Sequence, residues 1–299
     1  MAQKDVKDRI GSVKNIQKIT RAMEMVAAAR LRRAEQRIEA LRPYASAIRR
    51  MTRQAAEAAQ NVPNLPILNE HESVSTVGLL LVTGDRGLAG AFNSQIVRAG
   101  VRAAAEHENE GLSLAWYASG RRGTSSLQFR GVEVAGSYTG FTDRPAYGDA
   151  RDIAADLMAA YVDGKVDRVE IIYNHYLSPL TQRVTRETLL PLQQATILEG
   201  DDGDEEEDGD GAKRALVEYE PDPDDILRRL IPAYVEISIF RALLESTASE
   251  HGARMTAMRN ASENAGDIIK DLTLQMNRER QAEITQEILE VVSGAEGLA

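Results

Sequence analysis

The chain has 299 residues and a formal net charge of −10, and it is 43% hydrophobic, only 5% aromatic and free of cysteine. The lack of cysteine excludes disulfides, cysteine-ligated zinc and thiol catalysis. No stretch reaches the roughly 20 apolar residues of a membrane span, so we expect a soluble, cytoplasmic chain that meets a membrane only through a partner.

The charge is unevenly distributed along the chain. Residues 1–60 contain fourteen Lys or Arg and six Asp or Glu, a net charge of +8, which leaves −18 for residues 61–299. This asymmetry predicts that the N-terminal segment contacts acidic surfaces.

Residues 2–60 are predicted to form one helix, about 85 Å long at 1.5 Å per residue. Its apolar residues recur in alternating steps of three and four, the heptad pattern of a coiled coil. This seam consists of Leu31, Ala34, Ile38, Leu41, Ala45 and Ile48. An upstream run has the same spacing but is displaced by one residue, which we interpret as a local change of supercoil. The upstream run consists of Ile16, Ile19, Met23 and Val26.

The proline-containing segment 61–66 ends this helix, and residues 74–190 then alternate between short apolar runs and helical stretches. Such alternation predicts an α/β layer domain with a mostly parallel sheet. The predicted strands are 77–83, 112–118, 132–138, 169–173 and 181–190, and the predicted helices are 91–107 and 153–162.

Residues 200–211 form an acidic run without an apolar side chain, which predicts a disordered loop. A second long helix begins at Asp224 and again carries a seam with steps of three and four. Its seam consists of Leu230, Ala233, Ile237, Phe240, Leu244, Thr247, His251, Arg254, Met258, Ala261, Ala265, Ile268 and Leu272.

Each terminal helix has an apolar stripe to cover, and antiparallel pairing of the two helices covers both. The predicted fold class is therefore α/β with a long α-helical coiled coil, in which the two terminal helices pair and a Rossmann-like α/β domain is inserted between them. The predicted segments are a coiled-coil helix (1–60), a linker (61–73), an α/β globular domain (74–199), an acidic flexible loop (200–212) and a second coiled-coil helix (213–299).

Two segments leave alternatives open. The turn Gly84–Gly90 follows a buried strand and opens a helix, where a nucleotide phosphate could bind, although its spacing fits neither GxGxxG nor a P-loop. Close packing between strand and helix is the preferred interpretation of its glycines. The basic face between Arg30 and Arg53 could bind nucleic acid, but the acidic whole chain favours contact with acidic protein loops. The four histidines are scattered and none of them predicts a metal site.

Four motifs, in the right order and spread over nearly the whole chain, resemble the gamma subunits of F-type ATP synthases. They are Ile10–Arg33 in the first helix, Asp85–Asn93 in the first strand-to-helix turn, Glu245–Ala265 in the last helix, and Ile284–Ala295 (Ile-Thr-Gln-Glu-Ile-Leu-Glu-Val-Val-Ser-Gly-Ala) at the C-terminus. Family members often have Cys where this chain has Ala89, and without cysteine thiol regulation is excluded. The absence of a transit peptide favours a bacterial origin.

The resemblance implies a non-catalytic rotor shaft without a cofactor. Its partners would be a hexameric ring of alpha and beta subunits, the epsilon subunit and the membrane c-ring, with no nucleic acid. It would lie peripherally on the cytoplasmic face of the bacterial membrane, through the complex only. The resemblance also implies that Met23, Arg280, Gln281 and Thr285 contact beta subunits. An apolar bearing tip would comprise Ile288, Leu289, Val291, Val292 and Leu298.

Overall fold

The computed structural model describes residues 3–58, 66–68, 70–192 and 223–296. The chain forms two compact units, one of Met1–Ala29 with Arg254–Ala299 and one of Arg30–Ala253. The helices are α1 (Gln3–Ala58), α2 (Phe92–Asn109), α3 (Arg121–Phe129), α4 (Tyr147–Val162) and α5 (Pro223–Glu296), with a 3-10 turn at Pro66–Leu68. The strands are β1 (Thr76–Val82), β2 (Ser113–Ser119), β3 (Val134–Tyr138), β4 (Arg168–Tyr176) and β5 (Gln182–Leu190).

The second unit contains a five-stranded sheet in the order β3-β2-β1-β4-β5. The strands β1 to β4 are parallel, and β5 pairs antiparallel with β4 at one edge. The predicted mostly parallel sheet is therefore confirmed. Helix α3 was not predicted, because its sequence contains Gly, Thr and two Ser residues, all weak helix formers.

Apolar side chains on both faces of the sheet form two cores, because successive residues of a strand point to opposite faces. On one face, Leu80 and Tyr173 pack with residues of α4 and the first part of α5. On the other face, Leu79, Leu81 and Ile172 pack with residues of α2. The first part of α5 thus belongs to the core of the α/β body, through Leu227, Ile231, Val235, Ile239, Ala242 and Leu243.

The seam of α1 differs from the prediction in its N-terminal half. The buried residues extend the Leu31 seam upstream without a change of phase: Val6, Ile10, Thr20 and Ala27. Ile16, Ile19 and Val26 are 53%, 59% and 53% exposed. The predicted change of supercoil is therefore wrong. The error arose because, beside residues 16–26, the true seam carries the polar Thr20 and the small Ala27, while more hydrophobic residues lie on another face.

The seam of α5 departs from the prediction in its first part and follows it further on. The most deeply buried residues at the start of the helix are Leu227, Ile231, Val235 and Ile239, which pack in the core of the α/β body, whereas Leu230, Ala233 and Phe240 of the predicted seam are only partly buried. Leu244, Thr247, His251, Met258 and Ala265 are all buried. Near the end of the pattern Ile268 is 47% exposed, whereas Ile269 is only partly exposed. The acidic run 200–211 and most of the linker lie outside the described residues, and the division into five segments stays a prediction.

Asp167 joins the start of β4 to the start of β1. Its Oδ2 accepts hydrogen bonds from Ser75 N at 2.8 Å, Ser75 Oγ at 2.7 Å and Thr76 N at 2.9 Å, and its Oδ1 lies 2.6 Å from His71 Nδ1. Burial opposes ionisation of Asp167, but the hydrogen bonds from His71, Ser75 and Thr76 outweigh it and lower the pKa below its ordinary value.

We predict that Asp167→Ala lowers the free energy of unfolding by about 2–3 kcal/mol, because it leaves several donors without an acceptor. In the wild type this contribution is complete above the ordinary carboxyl pKa of about 4, and it is lost as the pH falls through the lower folded-state pKa. Urea unfolding measured from neutral to acid pH should therefore show a shallower acid loss for Asp167→Ala than for the wild type. Asp163→Ala, which breaks only an exposed pair with Lys165, should keep the wild-type pH profile.

Candidate functional site

The carboxyl ends of the parallel strands are where open α/β sheets bind ligands, at the point where the strand order reverses. In this chain that point lies between β1 and β4, and α5 occupies it. Three hydroxyls of α5 donate to main-chain carbonyls there: Ser246 Oγ to Val82 O at 3.2 Å, Thr247 Oγ1 to Thr142 O at 2.9 Å, and Ser249 Oγ to Asn174 O at 3.1 Å. The space left beside them is about 10 Å³, room for about one water molecule.

At the turn Gly84–Gly90, the places where a phosphate could bind are occupied by the carboxylates of Asp85 and Glu250. Asp85 Oδ1 accepts from Arg121 N at 3.0 Å, at the N-terminus of α3, where a phosphate could otherwise bind. Asp85 Oδ2 accepts from Gly140 N at 2.8 Å and Thr142 Oγ1 at 3.0 Å. A Cβ at Gly84 would lie 2.7 Å from the carboxylate of Glu250. Two carboxylates repel a phosphate, so the geometry favours close packing over nucleotide binding at this turn.

The first unit consists of α1 and α5 segments that pack antiparallel. Gln17 Nε2 donates to Ser262 O at 3.2 Å, and Glu24 Oε1 pairs with Arg259 Nε at 2.9 Å. A Cβ at Gly266 would lie 3.1 Å from Gln17 Nε2, so the end of the Gln17 side chain packs against Gly266. The predicted antiparallel pairing of the terminal segments is confirmed within this unit.

An exposed apolar stripe runs along α1 in the same unit. Ile16, Ile19, Met23 and Val26 fall within about 80° of one another around the helix, and the centre of this stripe lies roughly 100° from the buried seam. Met23 is partly buried and the other three are more than half exposed. We call these four residues the α1 stripe. A contiguous apolar surface of this kind is typical of protein interaction sites.

The C-terminal end of α5 extends past the start of α1. In the register set by Gln17 with Ser262, the first residue of α1 lies opposite residues just before 280. Every described side chain from Gln281 to Val291 is exposed, including Ile284 (46%), Ile288 (57%), Leu289 (60%) and Val291 (73%). This end of the helix therefore has an apolar surface that α1 does not cover.

The residues expected to contact partners fall into two groups. Arg280, Gln281 and Thr285 lie together on α5, all exposed, and Thr285 Oγ1 donates to Gln281 O at 2.8 Å. Met23 lies level with the region around Arg259, which is roughly 30 Å from Arg280 along α5. The bearing-tip residues Ile288, Leu289 and Val291 share the exposed end of α5. The side chain of Val292 is not described, and Leu298 lies outside the described residues.

The family model described as ATP synthase matches residues 2–298. The ATP synthase gamma chain of Rubrobacter xylanophilus is 44% identical over 296 residues, which is 99% of this chain and 98% of that protein. The chain belongs to the ATP synthase gamma-chain family. The ATP synthase gamma chain of Streptomyces avermitilis is 42% identical over 297 residues, 98% of this chain and 95% of that protein.

Solved structures agree with this membership in the gamma-chain family. A chain of the Tetrahymena thermophila mitochondrial ATP synthase central stalk and c-ring aligns with a TM-score of 0.60 at 27% identity, over 82% of this chain and 99% of that chain. A chain of the Euglena gracilis mitochondrial ATP synthase aligns with a TM-score of 0.65 over 99% of this chain and 94% of that chain, at 16% identity, which is a likeness of fold. The predicted fold class is thus confirmed.

Sequence reasoning missed part of the candidate surface. Their spacing predicts Ile16, Ile19 and Val26 in the helix seam, and only their exposure in the structure shows that they extend the surface around Met23. The sequence did contain a signal of this, because the 16–26 run is out of phase with the Leu31 seam and one face of a helix cannot carry both runs.

Among the described residues, no helix combines the length and apolarity needed to span a bilayer.

Proposed function

We propose that this chain is the central-stalk rotor shaft of a proton-translocating ATP synthase, a non-catalytic subunit that couples rotation to ATP synthesis and hydrolysis on its partners. The observation that carries the proposal is membership in the gamma-chain family over residues 2–298. The central-stalk assignment of the Tetrahymena relative agrees with it. The proposed partners are the alpha and beta subunits, the epsilon subunit and the c-ring, with no nucleic acid.

A shaft of this kind needs no active site. A single asymmetric helix pair inside a ring of near-threefold symmetry contacts each catalytic subunit differently. Different contacts stabilise different conformations, and therefore different nucleotide affinities, in each subunit. Rotation exchanges these contacts in turn. The two faces of α1 suit this role, because the seam holds the pair together while the α1 stripe stays available to a partner.

The proposed location is the cytoplasmic face of a bacterial cell membrane, reached through the complex alone. The two relatives named above are bacterial gamma chains, which supports this location. Fractionation of cells should find the chain with membranes, and low-ionic-strength washing should release it together with alpha and beta subunits. A chain that stays in the soluble fraction in the presence of those subunits would contradict the location.

The function is tested by reconstitution. The pure chain should hydrolyse no ATP, and mixed with its alpha and beta subunits it should form a complex whose ATPase depends on the chain. A fluorescent rod fixed to the chain in immobilised complexes should rotate when ATP is added. Hydrolysis by the chain alone, or a complex that hydrolyses ATP equally well without it, would contradict the proposal.

We place the beta-subunit contacts at Met23, Arg280, Gln281 and Thr285, and the bearing at Ile288, Leu289, Val291, Val292 and Leu298. The absence of native cysteine makes single-cysteine variants unambiguous. Cysteines at positions 23, 281 and 285 carrying a short photo-crosslinker should attach to beta subunits, and one at 288 should attach to the alpha–beta ring. A cysteine at Arg130, an exposed residue of the α/β body, is the matched control and should not label beta.

We predict that Met23→Lys impairs coupling more than folding. The added ammonium would lie beside acidic beta-subunit loops and pair with them, which would favour some rotational positions over others. ATP-driven proton uptake by membrane vesicles should fall several-fold while the thermal unfolding temperature changes little, since Met23 is only partly buried. Met23→Leu, which keeps an apolar side chain of similar volume, should retain uptake. Unchanged uptake in Met23→Lys would remove the contact assignment.

A further inference from the structure

The two helices that enter the α/β body are held there very differently. Six apolar residues of α5 belong to the main core of the body, from Leu227 to Leu243. Among the described side chains between Arg30 and Thr52, those of α1 that are both apolar and buried are Leu31, Ala34, Ala45 and Ile48. Apolar packing therefore fixes α5 firmly, whereas α1 rests on a narrow seam.

Polar contacts hold α1 on one flank of this seam. Arg30 Nη1 donates to Asp143 Oδ2 at 2.6 Å, and Arg86 Nη1 lies 3.2 Å from the same oxygen. Arg37, two helical turns after Arg30 and on the same face, donates to the carbonyl oxygen of Pro145. Burial opposes the charge of Asp143, but the Arg30 hydrogen bond and the two guanidinium groups lower its pKa, so it stays ionised. The loop before α4 is thus tied to two turns of α1.

A second contact lies on the other flank. Tyr176, the last residue of β4, donates its hydroxyl hydrogen to Glu35 Oε1. Burial and the Glu35 carboxylate raise the pKa of Tyr176, so it remains a donor. Around the helix, Glu35 lies about 140° from Arg30, and the buried Leu31 and Ala34 lie between them. The seam is therefore bracketed by polar contacts to two separate parts of the body.

A helix held only by an apolar seam can roll, because such contacts are not directional. Hydrogen bonds on both flanks oppose rolling in either direction, since each stretches when the helix turns. We propose that Arg30, Glu35, Arg37, Asp143 and Tyr176, here called the α1 clamp, are positioning residues that pass torque between the α/β body and α1. This inference rests on the rotor function proposed above, and none of the clamp residues is among the proposed partner contacts.

The test uses the assembled complex in membrane vesicles, carrying Asp143→Ala and Tyr176→Phe together. ATP hydrolysis should stay within about twofold of the wild type, while proton uptake per ATP hydrolysed should fall about threefold, because the Arg30–Asp143 and Tyr176–Glu35 contacts are lost and only the Arg37–Pro145 hydrogen bond of the clamp remains. A merely structural role would lower hydrolysis and uptake in proportion and leave their ratio unchanged.

Three further variants sharpen the result. Glu35→Gln keeps an acceptor for Tyr176 and should keep the wild-type ratio, whereas Glu35→Ala should lower it. Asp163→Ala breaks the exposed Lys165–Asp163 pair of the same unit and should have no effect. If the double variant does not assemble, Tyr176→Phe, which removes one oxygen atom, is measured alone and should still lower the ratio.

An unchanged ratio in the double variant and in Glu35→Ala, or in Tyr176→Phe where it is measured alone, would overturn the clamp and leave α5 as the sole torque path. Failure of the wild-type chain to assemble with alpha and beta subunits, or to support any coupled uptake, would instead contradict the rotor function itself.

Discussion

Gly120→Ala should lower the free energy of unfolding by about 4 kcal/mol or more. This is the largest effect that we expect from any of the glycine-to-alanine substitutions considered for this chain. Gly120 precedes α3 with φ of 94° and ψ of 136°, a conformation that side-chain-bearing residues rarely adopt. A Cβ there would lie 2.2 Å from Thr83 O and 2.8 Å from Thr83 Oγ1. The substitution therefore adds backbone strain to a collision.

Thr83 cannot move aside to relieve this collision. Its N donates to Ser119 O at 2.8 Å, and its Oγ1 donates to the same carbonyl at 2.8 Å while accepting from Gly123 N at 2.9 Å. Shifting Thr83 would break the contacts that join the end of β1 to the end of β2 and the start of α3. These contacts make glycine necessary at position 120.

Chemical denaturation of the full-length chain, followed by circular dichroism, measures the effect, and two other glycines serve as controls. Gly131 has φ of 76°, but no atom lies within 4 Å of the place where an alanine methyl would stand, so Gly131→Ala should cost only the strain of about 1–2 kcal/mol. Gly123 has ordinary helical φ, but its Cβ would lie 2.6 Å from Thr83 Oγ1, so Gly123→Ala isolates the collision. A loss at Gly120 no larger than that at Gly131 would show that Thr83 yields.

Glu170→Ala should lower the free energy of unfolding by about 3 kcal/mol, because it removes the shared hydrogen-bond acceptor of Arg186, whose side chain is 35% exposed, and of the buried His107. Glu170 is 5% exposed on β4, a strand whose other buried side chains are apolar except for that of Asn174. Arg186 Nε on β5 donates to Glu170 Oε2 at 2.7 Å, and His107 Nε2 on α2 lies 3.1 Å from the same oxygen. One carboxylate thus joins α2 to the antiparallel edge of the sheet.

The contribution of Glu170 to the free energy of unfolding should decrease as the pH falls. Burial opposes the charge of Glu170, but hydrogen bonds and charges from Arg186 and His107 lower its pKa. A lowered folded-state pKa means that the stabilisation is complete above the ordinary Glu value of about 4.3 and is lost as the pH falls through the folded-state value. The difference in unfolding free energy between wild type and Glu170→Ala should therefore shrink in acid.

A double-mutant cycle separates the ion pair from simple loss of packing. Glu170→Ala combined with Arg186→Met should cost less than the two single changes added together, since neither partner is then left alone. Glu106 also pairs with Arg186, at 2.6 Å, but it is half exposed, so Glu106→Ala should cost below about 1 kcal/mol. Additive losses in the cycle would show that Glu170 and Arg186 contribute independently.

Much of the fold was predictable because its signals are local. The apolar run in β1 predicts a strand that is buried on both faces, and the three-and-four spacing after Leu31 predicts a coiled-coil seam. Both hold in the structure. Helix α3 escaped prediction because what stabilises it is its contact with the ends of β1 and β2, and those strands meet only in the folded chain.

The sequence indicated where the candidate partner-contact surface lies, but it did not show that Ile16, Ile19 and Val26 belong to it. The resemblance to gamma subunits pointed to Met23 and to the end of α5, and these assignments stay predictions.

Nothing in the local sequence around the residues of the α1 clamp indicates their contacts. Arg30 and Arg37 look like surface charges of a basic helix, and their partners Asp143 and Pro145 are more than 100 residues away in the chain.

The amino-acid sequence alone was enough to establish the two long helices, the α/β layers between them and the likeness to gamma subunits, because periodicity, composition and motifs are properties of neighbouring residues. Which of two equally spaced faces of α1 is buried depended instead on tertiary packing. The stripe with more hydrophobic side chains stays exposed, while the face that carries Gln17, Thr20 and Ala27 contacts α5, where the Gln17 amide lies against Ser262 and Gly266. Which face is buried therefore depends on contacts with the partner helix rather than on hydrophobicity alone.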